Sequence, residues 1–270
     1  DTEFKNQVRH EVIDGTRRLV SFDKDIHLDD IYFSYDSRMG NVIDGVTLKI
    51  TSQTSVAFVG ESGSGKSTLV DLITLMIRPQ SGQVLIDQVP GSTILLSSWR
   101  EKIGYVSQET VIFDDSIANN ICLWSGDMHT DAELDKRIRK SASQAYIAQF
   151  IESLPEGYQT LVGERGIRLS GGQRQRLFIA RELFRKPSLL ILDEATSALD
   201  SESEKSIQRS IDELKGQVTL IIIAHRLSTI KNVDKIFVLD KGRIIQDGLY
   251  DSLRKSENSQ FRRLIEMQEL

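Results

Sequence analysis

One nine-residue run constrains this chain more than any other: Gly60-Glu61-Ser62-Gly63-Ser64-Gly65-Lys66-Ser67-Thr68. It stands between a short apolar run, Ser55-Val56-Ala57-Phe58-Val59, and a stretch where Leu69, Leu72, Ile73 and Met76 repeat at helical spacing. The predicted order is therefore strand, glycine-rich loop, helix, the context in which this spacing makes a phosphate loop. Glycines let backbone N–H groups converge on phosphate oxygens, and the helix N-terminus adds its partial positive charge. Lys66 is expected to reach the outer phosphates. Ser67 is expected to offer its hydroxyl to Mg²⁺, whose other ligands come from phosphates and water.

A second element fits the first. Leu189-Leu190-Ile191-Leu192-Asp193-Glu194 reads as an apolar strand delivering two carboxylates at its C-terminal end, where open α/β sheets place their ligands. Asp193 is expected to hold Mg²⁺ through water, and Glu194 to orient or deprotonate the attacking water. Val218 to Ile223 and Ile236 to Leu239 are further continuous apolar runs, as strands buried on both faces of a parallel sheet require. Ile26 to Tyr35, then Val46, Leu48 and Ile50, have strand-like spacing and read as sheet-edge strands; Val84 to Ile86 and Ile103 to Val106 read as short strands. Helical patterning covers Lys66 to Ile77, about Asp114 to Ser153, and the tail from Asp251 to Leu270. Asp1 to Phe22 is polar, mixed in charge and without periodicity, and reads as a connecting segment.

Composition removes several alternatives. With 270 residues, 39% hydrophobic, 27% charged and 4 Pro, the chain has room for a substantial core and is neither low-complexity nor linker-dominated. A net charge of -5 and a pI near 5.5 argue against a nucleic-acid-coating surface. Cys122 is the single cysteine, so no internal disulfide and no thiolate zinc cage can form. No apolar stretch approaches the roughly 18 residues that span a bilayer, and no signal-peptide core precedes Phe22. The chain opens on Asp1 rather than Met, and the expectation is a piece of a longer product, or a processed protein, cut upstream of Asp1.

Leu169-Ser170-Gly171-Gly172-Gln173 resembles the signature motif of ATP-binding cassette proteins, and the resemblance extends over nearly the whole chain. In that family the signature precedes a helix whose N-terminus faces the γ-phosphate of ATP held by the other subunit. The resemblance thus implies that Ser170, Gly171, Gly172 and Gln173 act in trans, by the physics of a helix N-terminal anion site. Leu161 to Lys186 carries seven Arg and Lys against two Glu, a basic stretch in an acidic protein. By the same resemblance Gln108 touches Mg²⁺ and the water, His225 contacts the γ-phosphate, Tyr35 stacks on adenine, and Ser197-Ala198-Leu199-Asp200 communicates across the subunit interface. Thr160 to Gly166 resembles the segment through which exporter-type cassettes meet their membrane domain.

The fold expected from all this is α/β: a P-loop NTPase (RecA-like) core with an antiparallel β edge sheet and an inserted α-helical subdomain at about 109–172 in a domain spanning 23–270. The resemblance implies ATP and Mg²⁺ as cofactors, and head-to-tail pairing with a second nucleotide-binding domain. It also implies an N-terminally fused transmembrane domain, a place on the cytoplasmic face of a membrane, and no nucleic acid. Three other readings are weighed. A stand-alone importer ATPase conflicts with Thr160 to Gly166. A non-transport cassette ATPase would need heptad arms or a second cassette, and neither is in the sequence. A sensor that binds without turnover conflicts with an intact Glu194 and His225.

Overall fold

Continuous apolar runs and period-two runs build different sheets in this computed structural model, which describes residues 13–36, 38, 40–107, 111–164, 167–193, 201–224, 227–256 and 259–268. The chain divides into two units, one of residues 1–103 with 233–270 and one of residues 104–232.

In the first unit, β1 (Asp25–Phe33) pairs antiparallel with β2 (Ile43–Thr51) on one side and β4 (Ser81–Ile86) on the other, and β5 (Val89–Pro90) borders β4. Along β2, Val46, Leu48 and Ile50 are buried while Thr47, Lys49 and Thr51 are exposed, the alternation of a sheet with one wet face. Of the two expected edge strands only β2 lies at an edge; β1 is paired on both sides. β3 (Ser55–Val59), buried throughout, runs parallel to β11 (Lys235–Asp240) with Ala57 opposite Ile236, and β12 (Arg243–Gly248) returns antiparallel along β11. No part of β12 is fully buried, so it carries little of the apolar signal that marks its neighbours.

α1 (Lys66–Ile73) buries Leu69, Val70, Leu72 and Ile73. It stops four residues short of the expected end because Leu75 turns left-handed at φ 59 and Met76 N–H folds back to Asp71 O at 2.9 Å. α2 (Leu96–Arg100) brings in Trp99, whose Nε1–H donates to Ile73 O at 3.0 Å. The end of the presumed connector packs here as well: Leu19 and Phe22 are buried, and the Phe22 ring stands edge-on to Trp99 at 5.4 Å. α8 (Tyr250–Lys255) and α9 (Gln260–Gln268) meet through Tyr250 and Phe261.

In the second unit, β9 (Leu189–Asp193) and β10 (Thr219–Ile223) run parallel, Leu190 opposite Leu220, with β6 (Ile103–Val106) on the other side of β9. The helical stretch resolves into α3 (Ile117–Cys122), α4 (Ala132–Gln144) and α5 (Ala148–Glu152), with β7 (Asp115–Ser116) paired to β8 (Leu161–Val162). Asp131 caps α4 by accepting from Glu133 N and Leu134 N, both at 3.0 Å, and the helix buries Leu134, Ile138 and Ala142. α6 (Gly171–Phe184) precedes β9, and α7 (Ser201–Leu214) precedes β10. Among the described residues no helix is long and apolar enough to cross a membrane.

Candidate nucleotide site

The glycine-rich run forms the turn between β3 and α1, and its glycines are there for steric reasons. Gly60 has φ 153, and a Cβ on it would lie 2.2 Å from Leu239 O; Gly65, at φ 105, would bring a Cβ within 2.9 Å of Ile43 Cδ1. Only a residue without a side chain lets the loop pass this close to β2 and β11. Inside the loop the Lys66 ammonium, 6% exposed, donates to Gly60 O at 2.9 Å and Glu61 O at 2.8 Å. Ser64 closes the turn with its N–H on Glu61 O at 3.2 Å. Above Gly63 no atom stands within 4 Å of an added Cβ, so that side of the loop is open.

Tyr35 lies against this loop. Its hydroxyl is 3.2 Å from Thr68 Oγ1 and its ring stands edge-on to Phe33, which leaves a half-exposed aromatic face beside the first turn of α1. In this unit, then, Tyr35, the loop, Ser67 and Thr68 are brought together.

The second unit holds the signature and the strand-end carboxylate. Ser170 is the N-cap of α6: its Oγ accepts from Gln173 N at 3.2 Å while Gln173 Oε1 accepts from Ser170 N at 2.8 Å, a complete capping box. An exposed hydroxyl thus sits at the positive end of a 14-residue helix. The helix is anchored near its other end by Arg181, 4% exposed, which donates to Asn120 O at 2.7 Å, Val111 O at 2.8 Å and Asn120 Oδ1 at 2.9 Å. Its guanidinium lies over Phe113 and Phe178, and burial lowers its pKa. Burial likewise raises the pKa of its neighbour Glu182, which Arg185 opposes from 3.3 Å. Asp193 ends β9 half-buried and accepts from the Tyr105 hydroxyl at 2.7 Å.

Of the residues singled out from the sequence, Gln108, Glu194, Ser197, Ala198, Leu199, Asp200 and His225 lie outside the described residues, as do Arg165 and Gly166 of the segment before the signature. The described part of that segment buries Val162, exposes Leu161 and turns back through Ile167 N–H on Leu161 O at 2.9 Å. Beside it a groove of about 430 Å³ is lined by Asp114, Glu164, Ile167, Arg168, Leu169 and Arg174. Among the described residues no group of three or more His, Cys, Asp or Glu is arranged to hold a metal. Ser67 in the first unit offers a hydroxyl and Asp193 in the second a carboxylate; each is a hard oxygen, the donor type that suits Mg²⁺ rather than zinc.

The profile of the family described as ABC transporter matches residues 43–197, more than half of the chain. The chain belongs to the ABC transporter family. It has the P-loop NTPase fold of that family's nucleotide-binding domains. An ATP-dependent lipid A-core flippase of Saccharophagus degradans is 46% identical over 88% of the chain, which spans 40% of that protein. ABC transporter B family member 21 of Arabidopsis thaliana is 44% identical over 91% of the chain and 19% of its own length. Among solved structures, a bacterial Atm1-family ABC exporter with ATP bound is 36% identical, with a TM-score of 0.83, over 96% of this chain and 44% of that one.

Sequence reasoning passed over Tyr105, Arg181 and Glu182. Arg181-Glu182 interrupts an otherwise apolar Leu177-Phe178-Ile179-Ala180…Leu183-Phe184, and an ionic pair inside a helix that is apolar on most sides must find buried partners. That signal was available in this ABC domain. Nothing in the local pattern around Tyr105 announces its partner, 88 residues away.

Proposed function

We propose that this domain binds and hydrolyses ATP and thereby drives export by a membrane domain fused upstream of it. The observation that carries the reading is the loop itself: a buried ammonium held by carbonyl dipoles at 2.9 and 2.8 Å, inside a turn where Gly60 and Gly65 leave no room for a side chain. An anionic phosphate oxygen is a stronger partner for Lys66 than a neutral carbonyl, because two opposite charges attract more strongly than a charge and a dipole.

The roles follow from the chemistry of each group. Gly60, Glu61, Ser62, Gly63, Ser64, Gly65 and Thr68 surround the phosphates with main-chain and hydroxyl donors, and Lys66 neutralises their charge. Tyr35 offers its half-exposed ring to the base. Ser67, Gln108 and Asp193 hold Mg²⁺, which when bound neutralises charge developing on the phosphates. Glu194 orients or deprotonates the attacking water, and His225 contacts the γ-phosphate. Ser170, Gly171, Gly172 and Gln173 of a second domain meet that phosphate from across the interface, and Asp200 joins the two domains. Each chain thus supplies two half-sites, and a lone domain turns over weakly. The segment 160–166, with exposed Leu161 and Ile167 nearby, takes the loops of the membrane domain.

The test is phosphate release by the purified full-length protein in ATP and Mg²⁺. Turnover that rises with domain pairing supports the reading; ATP binding without release would make it a sensor. Hydropathy of the coding region upstream of Asp1, scored with a window of about 19 residues, is expected to show about six spans in frame. A start codon close to Asp1 would remove the fused membrane domain.

A further inference from the structure

Tyr105 reaches the strand-end carboxylate within the second unit: its phenol donates to Asp193 Oδ2 at 2.7 Å. The residue before it, Gly104, lies close against its neighbours, for a Cβ there would stand 2.9 Å from Leu190 Cδ1 and 3.2 Å from Cβ of Glu182, a buried side chain of α6. The same α6 carries Ser170 at its N-terminus.

We propose that Tyr105 is a positioning residue of the metal site, fixing the Asp193 carboxylate for a hydrated divalent cation. The inference rests on the role proposed for Asp193. A carboxylate at a strand end is free to rotate about its Cβ–Cγ bond, and a phenolic donor on one oxygen fixes the plane in which the other lies. Such outer-shell donors orient ligating groups, and their loss typically lowers metal affinity by about 10–100-fold. The length of the tyrosine matters, because β6 supplies no other side chain at this position to span to Asp193.

The experiment uses the full-length protein, Mn²⁺ as the probe and a non-hydrolysable ATP analogue, with free Mn²⁺ read by electron paramagnetic resonance. Tyr105→Phe keeps the ring and removes only the donor. It is expected to weaken Mn²⁺ binding about 10-fold, at the low end for such a contact. Nucleotide affinity measured in a chelator stays at the parental value. The Mg²⁺ concentration giving half-maximal phosphate release rises in proportion, and the plateau rate recovers at high Mg²⁺. Parental Mn²⁺ affinity in Tyr105→Phe overturns the proposal, as does a loss of thermal stability with no change in metal affinity. Asp193→Asn separates the two levels. If it too leaves Mn²⁺ affinity unchanged, the metal-site reading fails; if it abolishes binding while Tyr105→Phe does nothing, only the positioning role fails.

Discussion

Ser170 has two duties in this reading, capping α6 and meeting a phosphate in trans, and two substitutions separate them. Ser170→Ala removes the acceptor of the 3.2 Å bond from Gln173 N–H, but the reciprocal 2.8 Å bond from Ser170 N–H to Gln173 Oε1 uses the main chain and survives. Half a capping box on an exposed residue places the loss near the low end of N-cap costs, about 0.5–1 kcal/mol. In a protein of this size that lowers Tm by roughly 2–4 °C per kcal/mol. Ser170→Asp keeps a side-chain acceptor at the cap, and its charge at a helix N-terminus adds about 0.3–1 kcal/mol, so its Tm equals or exceeds the parental one. Activity is expected to run the other way. Alanine loses one hydrogen bond to a charged oxygen, about 1.5–3 kcal/mol, or roughly 10–150-fold in kcat/KM. Aspartate sets a carboxylate against the γ-phosphate and falls below alanine. The assay is phosphate release in the full-length protein beside a thermal melt of each variant. Activities that follow the melting temperatures, with Ser170→Asp at or above the parental rate, would refute a phosphate contact and leave Ser170 as a cap alone.

Three further outcomes are expected. Lys66→Ala loses the charge that pairs with phosphate and binds ATP at least about 10-fold more weakly by calorimetry, given about 1.5–3 kcal/mol for a charged hydrogen bond; unchanged affinity would contradict the loop assignment. Glu194→Gln keeps its phosphate contacts, so it accumulates as an ATP-bound dimer on size exclusion while phosphate release stops; release at the parental rate removes Glu194 as the group acting on water. Arg181→Ala leaves Asn120 Oδ1 satisfied by Phe113 N–H at 2.9 Å but removes the donor to Val111 O and Asn120 O and empties a buried site, a loss of about 3 kcal/mol. Amide hydrogen exchange in α3 should then quicken roughly 100-fold, and parental protection would show that the buried guanidinium does not anchor α6.

How far the chain could be read in advance depended on whether the deciding contact was local. β3, β9 and β10 were legible because a strand buried on both faces must be apolar at every position, and the loop after β3 because its glycines answer to the backbone's own sterics. The end of α1 was not. Apolar spacing continues through Met76, yet the chain turns left-handed at Leu75, and periodicity carries no information about that dihedral. The basic stretch from Leu161 to Lys186 shows the same limit within one helix. Seven cations invite the reading of a solvated or ligand-facing surface, but Arg181 is buried against carbonyls 61 and 70 residues away. A charged residue flanked by apolar ones on successive turns cannot be paired with water, so its position already implies buried acceptors even when their identity is hidden. Glu182 follows by the same argument one residue on, and its partner is Arg185 at 3.3 Å. Polar interruptions of apolar helices therefore deserve the weight usually given to motifs. In this chain they lead from the signature helix to Val111 and to Asn120 in α3, a link that neither the glycine loop nor the signature discloses alone.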